Sequence, residues 1–233
     1  MDRIADKQGV LEAHEFFHGL PEPVLRRLAA TSRTVSYAAG ACIFTKGDEG
    51  FGLLAVLHGS VKISVISDDG REVVLNLITT GQVFGEIALL DGRPRTADAF
   101  ALTKCMLLAL DRRSFLPLLA THPPMAVRLL EVVSRRLRRT SEQVEDLSFA
   151  PSDVRLAKAL FYLAEIQGSS RASQPVINIK QRELGSMVGL SRESTNKHLR
   201  EWEEADVIAL EKGICKIRRP DYLRKLVGPL DGS

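Results

Sequence analysis

The chain has 233 residues, 45% hydrophobic and 26% charged, with a formal net charge of +3. These are the proportions of an ordinary soluble protein of one or two domains. No apolar run is long enough to cross a bilayer, and residues 1–10 carry charges of both signs with no apolar signal core, so a cytoplasmic chain with no membrane partner is expected.

Residues 12–30 place Phe16, Phe17, Leu20, Val24 and Leu28 at helical spacing, interrupted by Pro21 and Pro23. The texture changes between Thr34 and Leu110. Short β-rich runs (CIFT, LLAVL, VKISVI, EVVLNLI, CMLLAL) alternate with turn signals at Gly40, Gly47, Gly59, Gly70 and Gly81. Strands at this spacing, with a glycine at nearly every corner, predict an antiparallel β-sandwich or barrel. Asp69-Gly70 is a hairpin signal.

After Asp111 the period becomes helical again. Pro123 and Pro124 suit a first helical turn, and no Gly or Pro follows until about Ser148. That span would be roughly 37 Å long. Leu130, Val133, Leu137, Thr140, Val144 and Leu147 are spaced three, four, three, four, three. This is an a/d seam, which predicts pairing with a second copy; a core helix of a monomer is the alternative. Residues 149–152 look like a hinge. A helix over about 153–167, a polar loop, a strand at 176–179, two helices and a hairpin around Lys212-Gly213 then complete the chain.

From residue 150 onward roughly 14 Lys and Arg stand against roughly 11 Asp and Glu, so the positive excess sits in the C-terminal third. There, residues 182–188 read as a helix, Gly189 as a turn glycine, and Ser191 as the N-cap of a second helix over 192–205. The first residues of such a helix meet base edges: here Arg192, Glu193, Ser194 and Lys197. Arg can grip guanine, Glu can accept from cytosine, and Lys can reach guanine or phosphate. A solvated face with an ordinary Glu-to-Lys pair is the plain alternative.

In FGEIALLDGRPRTA, residues 84–97, Gly85 and Glu86 follow a strand and Ile87 to Leu90 can make one helical turn. Amides at such a turn suit an anion. Arg95 and Thr96 could close over the same phosphate, and Glu86 could accept from a sugar hydroxyl. A structural ion pair between Glu86 and Arg95 would explain the same residues. Cys42, Cys105 and Cys215 share no metal-ligand spacing and read as buried thiols. His14 and His18 flank an apolar helix and look structural. No nucleophile–base pair or metal set stands out, so no catalytic or metal residue is assigned.

The glycine corners, the FGEIALL and PRTA blocks and the segment INIKQRELGSMVGLSRESTNKHL, residues 177–199, together resemble the CRP/FNR family over most of residues 38–199. The resemblance implies an α+β chain in three parts. Residues 1–122 would form an antiparallel β-barrel or jelly-roll cyclic-nucleotide-binding domain, 123–149 a long dimerisation helix, and 150–233 a winged helix-turn-helix domain. It implies that Glu86 meets the ribose, that Arg95 and Thr96 meet the phosphate, and that the backbone at Gly85, Ile87 and Ala88 lines the pocket. RRLRRTSEQV resembles the long helix of cyclic-AMP-sensing members, which adds Arg136, Thr140 and Ser141 to the nucleotide contacts.

For DNA, the resemblance makes Arg192 and Glu193 base readers. Lys197 stands where the family usually has Arg, and lysine lacks the bidentate fork. Lys180 and Gln181 match positions near phosphates, Arg182 stands where cyclic-AMP-sensing members have a neutral residue and could add a phosphate contact, and Ser191 and Ser194 stand at the helix start. The implied function is a homodimeric transcription regulator switched by cyclic AMP, with cyclic GMP as a second candidate. Its implied partners are palindromic DNA with TGTGA-like half-sites and RNA polymerase. The alternative is a family member that is constitutive or senses another effector.

Overall fold

The computed structural model describes residues 3–211 and 213–228, with side chains from residue 7 onward. These pack as two units: residues 3–66 with 75–138, and residues 67–74 with the described residues from 139 to 228. The expected turn residue Lys212 lies outside the described residues.

The first unit opens with two helices, α1 (Arg3–Ala13) and α2 (Glu22–Thr31). The helical stripe expected to start near residue 12 thus belongs to a helix that ends at Ala13, a turn, and a second helix. The chain turns through residues 14–19, closing at Gly19 with φ 73°, and Pro21 caps the second helix. Eight strands follow: β1 (Ser32–Tyr37), β2 (Cys42–Phe44), β3 (Gly52–His58), β4 (Ser60–Ile66), β5 (Glu72–Thr79), β6 (Val83–Phe84), β7 (Asp98–Ala101) and β8 (Cys105–Asp111). They form two antiparallel sheets ordered β1-β8-β3-β6 and β2-β7-β4-β5. The jelly-roll expectation holds. The barrel does not close, since no hydrogen-bonded pair links the two sheets.

Strand β3 shows why two core layers exist. Its run Gly52 to Val56 is buried without alternation, as a strand covered on both faces should be. On one face Leu53 and Ala55 join Phe17, Leu25, Leu28, Phe115, Met125 and Leu129. These come from the turn before α2, from α2 itself, from α4 (Arg112–Thr121) and from the start of α5 (Pro123–Phe149). On the other face Leu54 and Val56 pack between the sheets with Val61, Ile78, Phe84, Ala99 and Leu107.

Helix α5 has 27 residues and straddles the division between the units. Its inward positions Met125 and Leu129 are buried, while Leu130, Leu137 and Val144 are at least 60% exposed. The apolar seam read from the heptad spacing is therefore a solvent-facing stripe of this chain. Leu147, at its end, packs over Gly189, where a Cβ would lie 2.9 Å from its Cδ2.

In the second unit α6 (Ser152–Ile166), β9 (Val176–Asn178), α7 (Gln181–Val188), α8 (Arg192–Glu204), β10 (Ile208–Glu211) and β11 (Ile214–Ile217) form a winged helix-turn-helix, and α9 (Pro220–Val227) follows. The small sheet is ordered β10-β11-β9. The Gln167 side chain closes the β9 edge: its amide donates to Asn178 O at 3.0 Å and accepts from Asn178 N at 2.8 Å. Leu156, Leu160, Leu184, Leu199, Trp202, Ile217 and Leu223 are buried in this unit.

The thiol expectation needs one correction. Cys105 and Cys215 are buried, but Cys42 is exposed. The three-residue strand β2 is a sheet edge, so nothing covers it. Burial pushes the Cys215 thiol up to about 12.

Candidate functional site

Two clusters of expected residues come together, one in each unit. The first surrounds α3 (Glu86–Asp91), the short helix after β6. Gly85 caps it in the left-handed region, φ 84°, where a side chain would be strained. A Cβ there would also collide with the guanidinium of Arg95. Glycine is required at this position twice over.

Arg95 is held in place by its backbone. Arg95 N donates to Asp48 O at 2.8 Å, and Gly47 N donates to Arg95 O at 2.9 Å. The 45–48 loop is braced in turn by Asp48, whose carboxylate accepts from Thr45 N and Thr45 Oγ1 at 2.7 and 3.0 Å. The Arg95 side chain turns inward and is only 9% exposed. Nη1 donates to Gly85 O at 2.9 Å and Nη2 to Gly52 O at 3.0 Å. The guanidinium lies 4.3 Å above the Phe44 ring, and Nε is buried without a partner. Burial pushes the Arg95 pKa down, opposed by the charges of Glu86 and Asp48.

Glu86, 2% exposed, does not form the ion pair with Arg95 that was one reading of the sequence. It pairs with Arg136, whose other guanidinium nitrogen donates to Val83 O. A buried carboxylate is tolerable only when paired and hydrogen-bonded. Arg136 reaches it from α5, so the long helix completes the charge balance of this cluster. Ala88 is buried, Ile87 is 45% exposed, and Thr96 is exposed. Beside Arg95 opens a cavity of about 870 Å³, with Phe44, Tyr37, Phe51, Leu54 and Asp48 among its walls. Thr140 and Ser141 lie further along α5 and are both exposed.

The second cluster is the helix-turn-helix. Ser191 is the N-cap of α8, its Oγ accepting from Ser194 N at 3.1 Å and donating to Ser194 Oγ at 3.0 Å. Two expected DNA contacts are thus engaged with each other in the cap. Gly185 lets α7 and α8 approach: a Cβ there would lie 2.7 Å from Thr195 Oγ1 and 3.0 Å from Leu190 O. Gly189, φ 66°, ends α7. Arg192, Glu193 and Lys197 are exposed, as are Lys180, Gln181 and Arg182 at the start of α7.

A Crp-like helix-turn-helix domain model matches residues 154–226, and a cyclic nucleotide-binding domain model matches residues 34–122. A CRP-like cAMP-activated global transcriptional regulator of Mycobacterium tuberculosis is 32% identical over 91% of this chain and 92% of its own length. The chain belongs to the CRP/FNR family of transcriptional regulators. A second CRP/FNR relative, the cyclic AMP receptor protein of Thermus thermophilus, is 34% identical over 93% of this chain and 98% of its own. Among solved structures, the catabolite activator protein of that organism covers 91% of this chain and 98% of its own, at 30% identity and a TM-score of 0.51. A CRP/FNR transcriptional regulator, also from Thermus thermophilus, covers 84% of this chain and 98% of its own, at 27% identity and a TM-score of 0.69. As a CRP/FNR chain it regulates transcription through its helix-turn-helix. No helix among the described residues is long and apolar enough to cross a membrane.

Several residues that build the clusters were not foreseen. Gly52 supplies a carbonyl to Arg95, and Phe44 supplies the ring beneath it. The Gly50-Phe51-Gly52 triplet was the available signal, since paired glycines mark close backbone approach. Here a Cβ on Gly50 would meet Ala88 and one on Gly52 would meet Leu110 O. His198, on α8, bonds Ser152 Oγ at 2.9 Å, and Arg139 stacks 3.3 Å from the Tyr162 ring centre. Neither pair had a local sequence signature.

Proposed function

We propose that this chain is a homodimeric transcription regulator whose DNA binding is switched on by cyclic AMP, with cyclic GMP as a second ligand of the same pocket. The observation that carries the reading is Arg95. It is a buried cation satisfied by two backbone carbonyls, with Nε left over and no carboxylate paired to it among the described residues. A buried charge with no directly bonded counter-charge is costly. A cyclic phosphate would supply the missing negative charge and an acceptor for Nε. Glu86 would then take a ribose hydroxyl, and Thr96 would donate its hydroxyl to the phosphate. The backbone at Gly85, Ile87 and Ala88 would line the pocket. On the family resemblance, Thr140 and Ser141 meet the base.

Arg136 supports the link to the long helix. A sugar hydroxyl arriving at Glu86 alters the ion pair that ties α3 to α5. The exposed stripe of Leu130, Leu137 and Val144 supports a second copy as the surface that covers α5. Two recognition helices one DNA turn apart would read a palindrome of TGTGA-like half-sites, and RNA polymerase would be the further partner.

The test is calorimetry of cyclic AMP with the wild type and Arg95→Ala. Loss of a charge-assisted contact in a dry site should weaken binding by about 3 kcal/mol, roughly a hundredfold. Near-normal affinity in Arg95→Ala would overturn the site. A wild type that binds its palindrome equally with and without nucleotide would favour the constitutive alternative.

A further inference from the structure

The side chains along α8 divide sharply. Thr195, Leu199 and Trp202 are buried against the rest of the unit. At about 100° per residue, the positions opposite them are Glu193, Lys197, Arg200 and Glu204, all exposed. Three polar residues on the flanks of α8 have partners: Ser194 bonds Ser191, His198 sits between Ser152 and Glu201, and Glu203 accepts from Leu210 N; Asn196 Oδ1 is buried without one. Glu193, Lys197, Arg200 and Glu204 make no side-chain hydrogen bond or ion pair among the described residues. Arg200 and Glu204 are correctly spaced for an i,i+4 pair, yet Arg200 stands apart from it, with nothing among the described residues to neutralise it.

We propose that Arg200 is a DNA-phosphate contact that holds the recognition helix against the duplex. The proposal rests on the reading of α8 as the helix that enters the major groove. Arg200 lies about 10 Å along the helix axis from Glu193 and on the same face. A helix that meets base edges with its first turn carries its later turns out past the wall of a groove about 12 Å wide. An arginine there is aimed at the sugar–phosphate rail, where its fork suits two phosphate oxygens. Glu204, one turn further, bears the opposite charge and marks the end of the contact. Arg200 thus adds affinity for every duplex alike and reads no base.

The experiment uses the full chain with cyclic AMP and two fluorescent duplexes, one carrying a TGTGA-type palindrome and one scrambled. Affinity is measured by anisotropy from about 50 to about 300 mM salt for the wild type, Arg200→Gln, Arg200→Lys and Arg192→Ala. Each phosphate contact contributes about 0.9 to the slope of log affinity against log salt, so Arg200→Gln in a dimer should flatten it by about 1.8. It should weaken both duplexes by the same factor, and Arg200→Lys should recover most of the loss. The exposed site makes misfolding of these variants a matter a melting curve settles directly. An unchanged slope, or a loss confined to the palindrome, overturns the assignment. Failure of the underlying reading looks different: the wild type and Arg192→Ala would then show no preference for the palindrome at all.

Discussion

The two units handle their functional charges in opposite ways. In the sensor unit Glu86, Arg95 and Arg136 are turned inward and are bonded to one another's surroundings, with Arg95 and Glu86 almost wholly out of water. In the winged helix unit Arg192, Glu193 and Lys197 stand in solvent. The difference follows from the ligand each would meet. A small anion can be held tightly only where water is excluded and charge interactions are strong. A DNA duplex is itself a field of exposed charge, bound by releasing its counterions. The first arrangement makes the charges part of the fold. The second leaves them free of it.

That contrast predicts which substitutions threaten the fold and which do not. The largest effect should come from Arg136→Ala. It strands the buried Glu86 carboxylate, at a cost of about 3 kcal/mol or more in the stability of the sensor unit. Urea denaturation checks this, and Glu86→Gln in the same chain should restore much of the loss. A variant as stable as the wild type would show that the pair contributes nothing to folding.

On the DNA side, Arg192→Ala should leave melting unchanged. It should cost about 1–3 kcal/mol on the palindrome and relax preference at one base pair per half-site. Arg182→Ala or Lys180→Ala should instead weaken all sequences alike and flatten the salt dependence. Equal losses on specific and random DNA for Arg192→Ala would remove it from the base readers.

Thr96 sharpens the comparison from the pocket side. It is exposed and outside the buried charge cluster, so Thr96→Ala should leave stability intact. If its hydroxyl also meets the guanine amino group, the variant should weaken cyclic GMP by about 1 kcal/mol more than cyclic AMP. Calorimetry with both nucleotides decides it, and equal losses would restrict Thr96 to the phosphate.

The smallest effect concerns His14, buried at 5% exposure with Nε2 unpartnered. Burial lowers its pKa below the ordinary value. The unfolded chain therefore binds the proton first, and stability falls as pH drops through the unfolded pKa of about 6.5. The slope for one proton cannot exceed about 1.4 kcal/mol per pH unit. Denaturation of the wild type and His14→Gln at several pH values should show the slope in the first and its reduction in the second. An identical pH dependence would place the acid sensitivity elsewhere.

The local signals were the readable ones. Glycine corners marked most strands, Ser191 announced α8, and the heptad spacing found the exposed stripe of α5. Each of these lies within a few residues, where chain geometry alone brings the groups together. The elements that escaped have weak local signals. Strand β1, Ser-Arg-Thr-Val-Ser-Tyr, carries little apolar periodicity and is made by its ladder with β8. Strand β7 is likewise defined by its neighbours β2 and β4. Helix α9, Pro220–Val227, buries only Leu223.

The members of the charge cluster were present in the sequence from the start: Gly85, Glu86, Arg95 and Arg136 could all be named without coordinates. What each one bonds was decided only by the fold. Glu86 is 50 positions from Arg136, and Arg95 is 43 from Gly52, distances at which periodicity carries no information. Whether a carboxylate meets the nearer arginine or the farther one depends on which helix the core brings past it. The same limit left Cys42 to be misread: a thiol's burial depends on what covers its strand, and β2 is an edge. Residue types and local order follow from neighbours along the chain, whereas charge partners and burial follow from contacts that only hydrophobic packing brings within reach.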